Sequence, residues 1–154
     1  MNRRNAIALT ADECREMLAS AHTIILSSID GRGYPHSVPM WYAVRDGRFL
    51  MTTYAKAQKT LNLRRNPRCC LLVESGREYA ELKGVLIRGR AEINTDVDAV
   101  LDALGHIRRK HGIGGDTSPE IAEAMRAHAA KRVLITVIPE HLASWDHRKL
   151  GGAY

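Results

Sequence analysis

One stretch of the chain concentrates residues suited to holding a phosphate: Met51-Thr52-Thr53-Tyr54-Ala55-Lys56-Ala57-Gln58-Lys59, continuing through Asn62 to Arg64-Arg65-Asn66-Pro67. It reads as the end of a strand, a small-residue connection, and a short helix whose first turn holds Gln58 and Lys59. A helix N-terminus presents unpaired backbone N–H groups and a partial positive charge, so it attracts anions. The Thr52 and Thr53 hydroxyls and the Lys59 ammonium would complete such a site, with a phosphorylated ligand as its expected occupant. Taken alone, Lys56, Lys59, Arg64 and Arg65 read more simply as a solvated helix face, because short motifs of this kind are weak.

Other chemistry-bearing groups are less specific. There are seven histidines, but His106 and His111 are five residues apart, and His141 and His147 six. Neither spacing is the i, i+4 that sets two metal ligands on one helix face, so no metal site is expected. Arg108-Arg109-Lys110-His111 is a basic cluster at a helix C-terminus, where positive charge is stabilised without a ligand. Nucleic-acid binding would ask for aromatics interleaved with basic residues; the chain is 5% aromatic and its Tyr and Trp are read in strands elsewhere, so no nucleic-acid partner is expected. Glu74, Glu78 and Glu81 with Tyr79 form a polar loop, not a paired-carboxylate device. There is no Ser-His-Asp order and no reactive-cysteine context, so no side chain is singled out as catalytic.

The elements that must position the phosphate-binding stretch follow from periodicity and punctuation. Thr10 with Glu13 reads as a capping box, and Cys14, Met17, Leu18 and Ala21 supply an apolar stripe, predicting a helix over residues 10–20. His22 to Ile29 predicts a first strand ending at the Asp30-Gly31-Arg32-Gly33 turn, and His36 to Val44 a second. Pro39 cannot donate a ladder hydrogen bond, which argues for an edge, a bulge, or an opening of the sheet. Asp46-Gly47 makes a further turn before a third strand over Arg48 to Thr53. After the short helix, Arg68 to Val73 is a fourth strand and Lys83 to Ile93 a fifth, with Gly89 marking a bulge. Thr95 is expected to cap a helix carrying Val97, Val100, Leu101, Leu104 and Ile107 and ending near Gly112. Ser118-Pro119 opens another helix, and Arg132 to Val137 returns to strand. Antiparallel strands first, with helices inserted late, predict a single α+β domain over residues 1–154, built on a barrel-like sheet.

Composition agrees. With 154 residues, 45% hydrophobic and 26% charged, the chain resembles an ordinary globular domain. Its three cysteines, two of them neighbours at Cys69 and Cys70, read as small buried hydrophobes in a reducing compartment. No apolar run serves as a signal or membrane span, so a cytoplasmic protein without a membrane partner is expected. The net charge of +6 suits an anionic ligand.

The order Asp30-Gly31-Arg32-Gly33-Tyr34-Pro35-His36-Ser37-Val38-Pro39-Met40-Trp41, then Thr52-Thr53, then Lys59-x-x-Asn62-Leu63-Arg64-Arg65-Asn66-Pro67, resembles the pyridoxamine-phosphate-oxidase-like superfamily. It is most similar to the flavin- and deazaflavin-dependent oxidoreductase branch. Gly89-Arg90-Ala91-Glu92 and the closing Ser144-Trp145-Asp146-His147-Arg148-Lys149-Leu150 add to the likeness. The resemblance implies a split β-barrel of six or so mostly antiparallel strands with peripheral helices. It also implies a homodimer with the cofactor site at its interface, and FMN or a deazaflavin (coenzyme F-420) as cofactor.

By the same resemblance Thr52, Thr53, Gln58, Lys59 and Asn62 hold the phosphate. Ser37, Val38, Pro39 and Met40 approach the ring by their backbone, and Trp145 covers the site. The implied activity is reduction or oxidation of a small planar organic substrate; a non-catalytic cofactor- or haem-binding protein is the alternative. Many flavin-binding members carry Ser-Arg-Lys where this chain has Ala57-Gln58-Lys59, one hydroxyl and one guanidinium fewer. The chain also has no counterpart of the arginine-rich C-terminal substrate motif of true pyridoxamine-phosphate oxidases, so that reaction is not expected.

Overall fold

The computed structural model describes residues 3–115 and 118–151, with the first two of these, Arg3 and Arg4, described by backbone alone. Seven strands form one antiparallel sheet: β1 (Ile24–Ile29), β2 (Pro35–Met40), β3 (Ala43–Arg45), β4 (Arg48–Tyr54), β5 (Arg68–Ser75), β6 (Lys83–Asn94) and β7 (Arg132–Asp146). Their order is β2-β1-β5-β6-β7-β4-β3. The two outermost strands, β2 and β3, are consecutive in the chain and joined by only Trp41 and Tyr42. Strands so tied cannot lie at opposite sides of a flat sheet, so the sheet curls until its edges meet. With five helices around it, α1 (Arg3–Ala6), α2 (Ala11–Ser20), α3 (Gln58–Arg65), α4 (Val97–Lys110) and α5 (Pro119–Ala129), the architecture is the α+β split barrel that the sequence implied.

Alternation along the strands builds two apolar layers. Phe49 and Met51 of β4 and Val133, Ile135 and Val137 of β7 face the barrel interior with Leu26, Leu71, Val85 and Ile87. α2 packs Cys14, Met17 and Leu18 onto the same cluster. On the outer face Leu50 and Leu134 meet Val100 and Ala103 of α4 and Ala129 of α5. A helix pair inserted between the paired strands β6 and β7 thus covers the outside of β4 and β7. Among the described residues no helix is long and apolar enough to cross a membrane.

Local signals explain most boundaries. The Thr10 hydroxyl accepts from Glu13 N–H while the Glu13 carboxylate accepts from Thr10 N–H at 2.7 Å, which fixes the start of α2. The second predicted strand is broken in two: β2 pairs with β1 and β3 with β4, and between them Tyr42 turns fully into the core, its hydroxyl donating to Leu18 O at 2.6 Å. Trp41 therefore lies in this link and not in a strand. Pro39 falls on edge strand β2, where its missing N–H costs no ladder bond. Asp96, and not Thr95, caps α4, its carboxylate accepting from Ala99 N–H at 2.8 Å. β7 runs nine residues beyond Val137 because a bulge opposite Arg88 and Gly89 absorbs Glu140, between Pro139 paired with Gly89 and His141 paired with Arg88.

Candidate active site at the end of β4

β4 ends where α3 begins, and the sequence of this corner explains its chemistry. Ala57 occupies the N-cap of α3 but has no side chain able to accept from the first turn, so the α3 N-terminus lacks the internal acceptor that Thr10 and Asp96 give α2 and α4. Lys59, in that first turn, reaches back along β4 and donates from Nζ to Thr53 Oγ1 at 3.2 Å. Thr53 is buried and Lys59 half-buried. Burial lowers the Lys59 ammonium below the usual lysine range, with the positive charge of Arg132 adding to the effect. Neither cation pairs with a carboxylate among the described residues. A half-desolvated lysine beside an uncapped helix start and a second cation is an arrangement that an anion stabilises.

Behind this corner Asn62 is fully buried and organises α3 against β1. Its Nδ2 donates to Ser28 Oγ at 3.1 Å, and its Oδ1 accepts from Gln58 Nε2 at 2.8 Å and from Arg65 Nη2 at 3.4 Å. Arg65 also donates to Ile29 O at 2.7 Å. Asn62 thus supports the site from within the fold, while Gln58 lies exposed beside Lys59.

Thr52 and Thr53 do not point the same way. Successive strand residues face opposite sides of a sheet, so Thr53 turns towards Lys59 and Thr52 towards the outer helices. There Arg132 Nη1 reaches Thr52 O at 3.3 Å and Thr52 Oγ1 at 3.4 Å, and its guanidinium carbon sits 4.7 Å from the Tyr54 ring centre. Arg132 escaped the reading of the sequence: it lies opposite Tyr54 only because β7 pairs with β4, a contact across nearly eighty residues of chain that no local pattern announces.

The remaining expected site residues lie elsewhere on the barrel. In β2, Val38 and Met40 face inward, and Ser37 and Pro39 outward; Ser37 Oγ lies 2.8 Å from Ser27 Oγ. β2 is an edge strand, so one side of its backbone is unpaired within the sheet. His36, opposite Ser28, buries an Nδ1 with no hydrogen-bond partner among the described residues. Trp145 is near the far end of β7 from Arg132, its ring lying over Gly84. Within one chain it is not brought to Lys59. The described residues contain no group of three side chains that could hold a metal ion.

A family model for pyridoxamine 5'-phosphate oxidase matches residues 10–146. The chain belongs to that family. Among solved structures, a conserved hypothetical protein from Mycobacterium tuberculosis is 34% identical, with a TM-score of 0.86 over 98% of this chain and 93% of that one. An F420 reductase shares the fold at 22% identity and a TM-score of 0.66, covering 84% of this chain and 94% of its own. So does an FAD-binding protein from Mesorhizobium loti, at 22% identity and a TM-score of 0.65, with 89% and 94% covered. No curated protein matches. Pyridoxamine-phosphate-oxidase-like proteins thus supply the frame in which the β4–α3 corner is to be understood, and that family includes oxidoreductases.

Proposed function

We propose that this protein is an oxidoreductase that binds a phosphate-bearing flavin or deazaflavin, FMN or coenzyme F-420, with the phosphate at the β4–α3 corner. The observation that carries the reading is the Lys59 ammonium, half-buried beside the Thr53 hydroxyl at the uncapped start of α3 and without a carboxylate partner. A phosphate there accepts hydrogen bonds from Lys59, from Thr53 and from first-turn backbone N–H groups, and Arg132 adds positive potential from across β4. Within the family, relatives named for F420 reduction and FAD binding support a flavin-type cofactor.

The ring system, in this reading, lies along the edge of β2, where the backbone of Ser37 to Met40 has a face free of sheet partners. When bound, the cofactor supplies hydride or electron transfer to a small planar organic substrate, and the protein supplies orientation, exclusion of water and electrostatic tuning. A homodimer completes the site, and Trp145 reaches the cofactor only as the partner's Trp145, since within its own chain it stands at the other end of β7.

Titration of the purified protein with FMN and, separately, coenzyme F-420, following fluorescence quenching at physiological salt, tests the proposal. Saturable binding of one names the cofactor and turns the search to substrates of its reduced form. Binding of neither overturns the reading.

A further inference from the structure

On the side of β4 away from Lys59, the structure holds a second feature, distinct from the phosphate corner. A cavity of about 560 Å³ lies between α4, α5 and the outer faces of β4 and β7. Its body is apolar, formed by Leu104 and Ile107 of α4 and Ile121 and Met125 of α5. Its volume falls in the range of cavities that take small organic molecules, roughly 300–1,000 Å³.

Polar groups in the wall are few and all of one sign or neutral. Arg132, Arg108, His128 and Thr52 line the cavity, and among the described residues no acidic side chain does. His128 is held below the usual histidine range by burial and by the nearby positive charges of Arg132 and Lys131, so at neutral pH the fixed charge comes from the two guanidiniums. Arg132 is incompletely satisfied. Its two contacts to Thr52 are long, and its Nε is buried without an acceptor among the described residues. A guanidinium keeps its proton at any working pH, and its donor fork matches the two oxygens of a carboxylate. An always-charged guanidinium set in a largely apolar wall, with no acidic side chain lining it among the described residues, is complementary to an anion carried on an apolar body.

We infer that this cavity binds a small carboxylic acid with an apolar body, its carboxylate on Arg132 and its body between α4 and α5. Thr52, on the outer face of β4, holds the guanidinium at the cavity wall by accepting from its Nη1. Trp41 also lines the cavity, and its indole stacks on His111 at 4.0 Å between ring centres and 12° between planes, which holds the ring in place. The inference does not depend on the cofactor reading: the two sites use opposite faces of β4, and Arg132, which lines this cavity, bears on the phosphate corner only through its charge.

Two acids of different shape, decanoate and 2-naphthoate, are titrated by calorimetry into the full chain, each beside its uncharged counterpart, decan-1-ol or 2-naphthalenemethanol. The expected result is that at least one acid binds about tenfold or more tighter than its alcohol, the usual worth of a charge-assisted hydrogen bond. Arg132→Met should erase that preference, and Met125→Trp, which fills the cavity, should abolish binding of both acid and alcohol. Should Arg132→Met not fold, Arg132→Lys keeps the charge but loses the fork and should reduce the preference; Ala124→Trp replaces Met125→Trp on the same grounds. Binding of neither acid, equal binding of acid and alcohol, or acid binding that survives the filled cavity overturns the inference.

Discussion

The Lys59 ammonium stands 3.2 Å from the Thr53 hydroxyl, and the charge that bears on it is the like charge of Arg132 across β4. A lysine so placed gains from an incoming anion what it lacks within its own chain. Lys59→Ala should therefore weaken FMN or coenzyme F-420 binding by about 1.5–3 kcal/mol. Calorimetry checks it, and unchanged affinity would remove Lys59 from the site.

The pH dependence of that affinity follows from the same geometry. An anion is held by the protonated amine, and burial brings the Lys59 pKa below the usual lysine range. Cofactor affinity should fall as pH rises through this lowered value, while a Lys59→Arg variant, whose guanidinium stays charged, should hold its affinity to higher pH. Parallel decline in both proteins would place the titrating group elsewhere.

Asn62 tests the inner support of the corner. Removing its amide by Asn62→Ala leaves the buried Ser28 hydroxyl without its donor and frees Gln58, so stability should drop by about 1–3 kcal/mol. Gln58→Ala, at the exposed end of the same chain of bonds, should cost clearly less. Chemical denaturation of the two variants reads the difference, and equal losses would show that burial of Asn62 is not what matters.

Two glycines in β6 separate backbone from side-chain constraint. A Cβ at Gly89 would stand 2.3 Å from Ile138 O, a backbone atom at the bulge that cannot yield without disturbing β7. A Cβ at Gly84 would stand 2.4 Å from Trp145 Cζ2, a ring that can tilt away. Gly89→Ala should lower stability by about 2 kcal/mol or more, whereas Gly84→Ala should chiefly change the Trp145 fluorescence. The reverse pattern would contradict the packing described for β7.

These residues also show what the sequence could and could not convey. Features governed by neighbours in the chain were legible: the Thr10–Glu13 box, the first turn of α3 with Gln58 and Lys59, Pro39 on an edge, and the bulge at Gly89. The Asp96 cap was missed by one residue because Thr95 and Asp96 both suit an N-cap. Features governed by pairing across the barrel were not legible. Arg132 opposite Tyr54, Thr52 turned away from Thr53's partner, and Trp145 at the far end of β7 depend on which strands meet. The interruption of the second strand at Trp41 and Tyr42 has the same origin: residues 36–44 alternate well enough for one strand, but the barrel must cross there from its first edge to its last.

Lys110 offers a test of the packing between α4 and the barrel. Its Nζ sits 3.2 Å from the centre of the Tyr42 ring and 3.3 Å from Leu18 O, and burial pushes its pKa down to about 8 from 10.5. Below pH 8 the folded and unfolded chains both hold the proton, and above 10.5 both have lost it. Between these values the unfolded chain binds more protons, so the Lys110 contribution to stability should rise with pH across that window. The stability of the wild-type protein relative to Lys110→Met should thus be level from pH 6 to 7.5 and climb between about 8 and 10.5 in urea unfolding. The Tyr42 ring works in the opposite direction, since its face attracts the ammonium and not the neutral amine. A difference that stays flat to pH 10 would mean that this attraction, together with the Leu18 carbonyl, outweighs the burial and keeps Lys110 charged.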